Sequence, residues 1–285
     1  MFREFGGITL FTLVSSYNIP IYHRGFNCLA TTFLNANTRL ERRAGGLVFG
    51  YTGENNPESW KKFNETCAVG KFQSPLDFEN DSLLSEEIPQ IHWTDYEHVE
   101  FHNTGNTVEV ALGGANHHRK TTLVYKSNPN EVFTLQQFHF HDPSEHTVTG
   151  SGYPLEAHFV FKSEKGSLAV FGVFMQFSDV DGSRGFLHRL VNYLPKVNKP
   201  THIPVLKLKK FGGQLNYLAK KHGVYRYQGS LTTPPCSEGV NWNVLKKPVG
   251  ASSEILAGFW KSMPMNSRYT QNPHGRGVTN NVTGE

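Results

Sequence analysis

Between Leu47 and about Asn280 the apolar positions recur mainly at intervals of two, the period of strands half-buried on one face. Segments 107–112, 133–141, 155–161 and 168–177 are rich in β-branched and aromatic residues and read as strands. Turn residues separate them: Gly113-Gly114, Ser127-Asn128-Pro129, Thr149-Gly150-Ser151-Gly152 and Lys165-Gly166. The helical period shows in two places. Residues 185–194 carry Phe186, Leu187, Leu190, Val191 and Leu194 at helical spacing, and residues 252–260 place Ile255, Leu256 and Phe259 on one face behind Ser252 as a cap. No internal repeat, low-complexity tract or linker interrupts 47–280. The pattern predicts one mainly β domain, a β-rich α+β class with few short helices.

Composition narrows the picture. Of 285 residues, 38% are hydrophobic and 13% aromatic, while only 18% are charged, which excludes a highly charged disordered chain. No apolar run approaches the roughly 20 residues of a membrane span. The formal charge of +4 is unevenly placed. Residues 1–43 hold five basic and two acidic residues; the rest holds 23 basic and 22 acidic, so a near-neutral body gives no electrostatic case for nucleic acid. The 14 histidines are the unusual feature.

The first 43 residues differ from the rest. Arg3 precedes an apolar run, residues 8–14, and then Ser15 and Ser16, the order of a secretory signal peptide. Arg42-Arg43 before Ala44-Gly45-Gly46 reads as a propeptide processing site. The expectation is a removed signal and propeptide over 1–43, a mature domain over 44–285, and a secreted, extracellular protein. Sequons at Asn64, Asn80 and Asn281 agree with glycosylation in that pathway. Cys28 lies in the removed segment, which leaves Cys67 and Cys236; an even pair in a secreted chain reads as a disulfide.

The densest chemistry lies in Gln136-Gln137-Phe138-His139-Phe140-His141. On a strand Gln137, His139 and His141 share one face, and Phe138 and Phe140 the other. In 155–161, Glu156, His158 and Val160 share one face and Ala157, Phe159 and Phe161 the opposite one. If the two strands pair antiparallel, three neutral imidazoles converge on one point. That is the donor set of tetrahedral zinc with its fourth position open to water. Gln137 and Glu156 stand two residues before ligand candidates and suit the second ring nitrogens. His146 follows Glu145 and is not taken as a fourth ligand, because that would close the site.

At this point the chain resembles the α-class carbonic anhydrases. The resemblance rests on Gln73-Ser74-Pro75-Leu76-Asp77, residues 137–141, Ser144-Glu145-His146-Thr147-Val148, residues 156–160 and Gly229-Ser230-Leu231-Thr232-Thr233-Pro234-Pro235, matched in order and spacing. Phe49-Gly50-Tyr51 and Asn266-Ser267-Arg268 fall where that family has its entry motif and its late Asn-x-Arg. The likeness spans about Phe49 to Arg276, and the short Asp142-Pro143 link is similar to secreted bacterial and fungal members.

The resemblance implies a large, twisted, mostly antiparallel central sheet with short peripheral helices. It implies reversible hydration of carbon dioxide to bicarbonate and a proton by zinc-bound hydroxide. Zinc would be held by His139, His141 and His158, with Gln137, Glu156 and the carbonyl of Asn266 behind them. Thr232 would orient the hydroxide and donate its own proton to Glu145. Val160, Val170, Leu231 and Trp242, with Thr233, would form the substrate pocket, and Tyr51 would join the solvent network. Cys67 and Cys236 fall where secreted members carry an intrachain disulfide. Fast members carry a proton-shuttling histidine in Asn-x-Gly-His; this chain has Asn103-Thr104-Gly105-Asn106, so a shuttle at Asn106 is missing, with His102 or His117-His118 as possible substitutes. A monomer or homodimer is expected. Two other readings stay open: a catalytically weak extracellular binding domain, and a zinc esterase.

Overall fold

The alternation seen in the sequence sorts the residues to the two faces of one sheet. The computed structural model describes residues 49–78, 84–85, 87–112, 119–197 and 199–274. The expected signal and propeptide, Cys28, the sequons at Asn80 and Asn281, and His117-His118 lie outside them. In chain order the strands are β1 Asp77–Phe78, β2 Leu84–Ser85, β3 Gln90–His92, β4 Tyr96–Asn103, β5 Val108–Ala111, β6 Thr122–Tyr125, β7 Asn128–His141, β8 Thr147–Val148, β9 Leu155–Ser163, β10 Leu168–Phe177, β11 Thr201–Leu206, β12 Val224–Ser230 and β13 Glu238–Ala251. The helices are α1 Thr66–Val69, α2 Phe186–Val191, α3 Leu208–His222 and α4 Ser253–Ser262.

Eleven strands form the main sheet in the order β11-β4-β5-β7-β9-β10-β13-β12-β2, with β6 on β7 and β3 on β6. Its ladders are antiparallel except for β10 beside β13. The mainly β class and the mostly antiparallel sheet are therefore observed. The segment 168–177 matches β10, and Ser252 caps α4 by accepting a hydrogen bond from the Ile255 N–H at 3.3 Å. The helix expected over 185–194 covers only Phe186–Val191, preceded by Gly185 at φ 82°. The turn expected at 127–129 is displaced: Lys126 and Ser127 turn, and Asn128 already belongs to β7. This β6–β7 loop needs only two residues because antiparallel strands can close in a tight hairpin.

The pattern gave no reading of α3. Its apolar residues Leu208, Phe211, Leu215 and Ala219 are buried at helical spacing, but Gly212-Gly213 in its middle disfavours a helix. Tertiary packing overrides that preference. Gly212 lies against the indole of Trp93, where an added Cβ would fall 2.0 Å from Cγ.

The phenylalanine face of the sheet carries the larger core. Phe138 stacks toward Phe186 of α2, which stacks on Phe211 of α3 at 4.6 Å, and Phe140 meets Phe259 of α4 at 4.4 Å. All three helices thus cover one face, and the imidazole-bearing face stays open to the site. Cys67 of α1 and Cys236 are joined in a disulfide that spans 169 residues of chain. Closing such a loop stabilises by about 3–5 kcal/mol in chain-entropy accounting.

Gly212→Ala should cost about 1–3 kcal/mol by overpacking, although helix propensity alone favours alanine. The adjacent Gly213→Ala enters open space and should gain about 0.5–1 kcal/mol. Urea denaturation of the two variants checks the opposite signs.

Candidate metal centre

Strand β7 pairs antiparallel with β9 so that His139 stands opposite His158 and His141 opposite Glu156. Directly paired residues point to the same face. His141, two residues along β7, also points there. The ring centroids lie 5.0 Å apart for His139–His141, 5.3 Å for His139–His158 and 4.5 Å for His141–His158. One nitrogen from each ring falls within 4.8 Å of the other two, so the trio could hold a metal ion.

Each of the other ring nitrogens faces an oxygen. His139 Nδ1 meets Gln137 Oε1 at 2.9 Å, and His141 Nδ1 meets the Asn266 carbonyl at 2.9 Å. His158 Nε2 lies 3.0 Å from Glu156 Oε1. These contacts leave Nε2 of His139, Nε2 of His141 and Nδ1 of His158 for an ion. His141 Nε2 is buried with no hydrogen-bond partner among the described residues, which is the condition of a nitrogen shaped for a cation. Burial, then the neighbouring imidazoles, hold His139 well below the usual imidazole range; burial, with His158 beside it, lowers His141 to about 3. Both are therefore neutral, as a metal ligand must be. Three imidazoles suit zinc.

Glu156 organises the floor of the site. Its Oε2 accepts the N–H groups of Glu145 and His146 at 2.9 and 3.0 Å, and its Oε1 meets His146 Nδ1 at 2.8 Å. Burial pushes its carboxyl up, but the flanking His146 and His158 outweigh that and hold it well below the usual carboxylate range. His146 spends its other nitrogen on the Tyr227 hydroxyl at 2.7 Å. With both nitrogens engaged, it stands behind the trio.

Asn266 ties the end of β7 to the late loop four times, its N–H donating to the Asp142 carbonyl at 2.9 Å. Its carbonyl accepts from His141, its Oδ1 accepts the Asp142 N–H at 2.7 Å, and its Nδ2 donates to the Phe140 carbonyl at 2.9 Å. Arg268, two residues on, donates its backbone N–H to Glu145 Oε1 at 3.0 Å. Its guanidinium, itself buried, donates to Gln73, to the Ser74 carbonyl and to the Cys67 carbonyl. Burial raises Glu145 to about 7, against the pull of His158, the Thr232 hydroxyl and the Arg268 N–H. Thr232 is buried in the loop that leads to Cys236, whose N–H donates to the Thr233 carbonyl at 2.8 Å.

One side of the centre is apolar. Val160 pairs with Val170 across β9 and β10, and Val170 with Trp242 across β10 and β13. The Trp242 indole stands edge-on to His158 at 4.8 Å, and half-buried Leu231 packs against the same cluster. Tyr51 and Asn106 occupy the amino-terminal side. Tyr51 packs on Trp60 at 5.4 Å, and Asn106, in the β4–β5 turn, donates to the Phe49 carbonyl at 3.4 Å.

Glu109 escaped the sequence reading. It stands opposite His139 across β5 and β7, and opposite His102 across β4 and β5. His102, Glu109 and His139 thus share one face in a row across three strands. Glu109 is buried and its carboxyl is raised to about 7 by that burial. The usable sign was a carboxylate between Val108 and Val110 in an alternating strand. Tyr227 left no such sign, and the Asn266-Ser267-Arg268 motif marked Arg268 without indicating its contacts, since the partners of both are distant in sequence.

The family model for eukaryotic-type carbonic anhydrases matches residues 55–282. This chain belongs to that family. It is 34% identical over 232 residues to a carbonic anhydrase of Pectobacterium carotovorum, covering 80% of this chain and 88% of that protein. It is 37% identical to one from Klebsiella pneumoniae, with 80% and 89% covered. Among solved structures, the fungal α-carbonic anhydrase of Aspergillus oryzae superposes with a TM-score of 0.69 at 33% identity, covering 80% of this chain and 94% of that one. The Photobacterium profundum α-carbonic anhydrase gives 0.68 at 34%, with 80% and 98% covered. The chain is thus an enzyme of the carbonic anhydrase class, whose members interconvert carbon dioxide and bicarbonate and use zinc.

Asn266→Ala keeps the carbonyl that receives His141 but removes both side-chain hydrogen bonds. It should cost about 1–3 kcal/mol in chemical denaturation and weaken zinc retention about 10–100-fold in competitive chelation.

Proposed function

We propose that this protein hydrates carbon dioxide reversibly at a zinc ion held by His139, His141 and His158. The observation that carries the proposal is the trio itself: three imidazoles within reach of one ion, two hydrogen-bonded through their second nitrogen and the third with its second nitrogen 3.0 Å from Glu156. In carbonic anhydrase, zinc on three imidazoles lowers the pKa of a coordinated water to about 7, so hydroxide is available near neutrality. With zinc held by the trio, Thr232 would accept a hydrogen bond from the oxygen the metal activates and would donate its own to Glu145, whose carboxylate form can only accept. That arrangement would orient the oxygen toward the apolar wall. Val160, Val170, Leu231 and Trp242 hold the apolar substrate without hydrogen-bonding it, with Thr233 at their rim. Tyr51 borders the solvent on the opposite side. A weak binding domain is disfavoured because all three ligand candidates are retained.

Residues 44–285 are proposed as the secreted, mature enzyme, with 1–43 removed. The disulfide supports this, since oxidising compartments preserve such bonds. Asn64, half-buried with Oδ1 accepting from the Thr66 N–H at 2.9 Å, is the sequon asparagine among the described residues and the glycosylation candidate.

Purified protein should contain one zinc per chain and hydrate carbon dioxide in stopped-flow assays. Zinc without hydration would favour the esterase; absence of both would favour the binding domain. His158→Ala should lose zinc under mild chelation, because two imidazoles make a poor site.

Each hydration releases one proton, and the Asn106 amide has no titratable proton near neutrality. Release from a group of pKa about 7 by diffusion, at encounter rates near 10¹⁰ per molar per second, supports only about 10³ turnovers per second. Turnover is therefore expected to rise steeply with buffer concentration. Asn106→His should raise it in dilute buffer; wild-type turnover near 10⁶ per second there would show that another group, with His102 in the row beside Glu109 the first candidate, already carries the proton.

A further inference from the structure

The near-neutral body hides a strongly polarised surface. Helix α3 contains four lysines and no acidic residue. Lys209, Lys210, Lys220 and Lys221 are all exposed, along about 18 Å of helix axis. Its apolar residues face the phenylalanine side of the sheet, so this cationic face points away from the metal centre. Lys209, Lys210 and Lys220 make no ion pair among the described residues. Lys221 contacts the ring of Tyr217, which is 59% exposed in the middle of the array.

A recess of about 560 Å³ opens beside the first turns of α3, lined by Arg184, Lys209, Lys210, Gln214 and Tyr217, with Gly213 and Asp95. Asp95 is already engaged by the Lys209 N–H at 2.8 Å and by Lys207 at 3.7 Å. Arg184 is presented from a left-handed residue, φ 54°, in a loop whose Asp181 accepts the N–H groups of Ser183 and Gly185. Gln214 donates to the Gly182 carbonyl, while its Oε1 is buried with no hydrogen-bond partner among the described residues.

We propose that this face docks an acidic polysaccharide, a polymer of sugars bearing carboxylate or sulfate groups. Cations spaced along the helix suit charges repeated along a polymer. An exposed tyrosine offers a flat surface to a sugar ring. A membrane is the poorer occupant: Tyr217 stands alone among lysines as the exposed large side chain of α3, since the helix's apolar face is spent on the core. The metal centre stays open on the other side of the sheet, so bound polymer leaves the enzyme working. The inference does not depend on the proposed activity.

The test uses the full-length, zinc-loaded protein with heparin and polygalacturonate as probes, at about 0.15 M salt and over a salt series. Saturable binding is expected to one of them, weakening as salt rises. The K209E/K210E and K209Q/K210Q variants should weaken it about tenfold, whereas the charge-matched control K61E/K165E, on other surfaces, should not. Tyr217→Ala should weaken it several-fold without changing the salt slope. Carbon dioxide hydration should be equal in all of these proteins, with or without polymer. No saturable binding to either polymer, or equal loss in the control, overturns the proposal. Tighter binding to phosphatidylserine-containing vesicles or duplex DNA, undisturbed by either polysaccharide, overturns the choice of occupant.

Discussion

The antiparallel pairing of His139 with His158 sets the position of everything around the centre. A slip of one residue between β7 and β9 would turn the imidazoles to the helix side and the phenylalanines into the cavity. The phenylalanines prevent this. Phe138, Phe140, Phe159 and Phe161 are fully buried against α2, α3 and α4, and burying each is worth about 1.5–3 kcal/mol relative to exposure. Register is thus held by the dry face, and the polar face inherits its geometry.

That geometry brings charge into a buried place. Glu156 and Glu145 are almost fully buried, and an unpaired carboxylate there would be costly. Glu156 is compensated by two backbone N–H groups and two imidazoles. Glu145 has fewer partners, and its carboxyl rises to about 7. A cation on the trio would supply the missing positive charge beside it. The loop from Leu231 to Cys236, which carries Thr232, is tied to the amino-terminal side by the disulfide. Arg268 reinforces that tie, reaching the carbonyls of both Ser74 and Cys67.

The two faces of the sheet divide the labour. One holds the titratable and apolar groups of the centre in rows across the strands: His102, Glu109, His139 and His158 in one, Val160, Val170 and Trp242 in another. The other is sealed by helices whose outer surface is free to take on charge. Lysines accumulate on α3, on a surface that owes nothing to the core.

Local pattern alone determined the strands that carry the site, the common face of Gln137, His139 and His141, and the opposite face of Phe138 and Phe140. A period of two is a property of the extended backbone and needs no partner to be read. The motif order pointed to the family for the same reason: residues close in sequence carry most of the donor set. Tertiary structure decided what depends on distant partners. It chose which strands pair, and so brought Glu109 beside His139; it made α3 a helix across two glycines because Trp93 needed the space. It aimed the Asn266 carbonyl at His141 from 125 residues away and gave His146 two partners that exclude it from the trio. These contacts join segments through space, and the energy that selects them comes from burial of the whole sheet, which no local window of sequence contains.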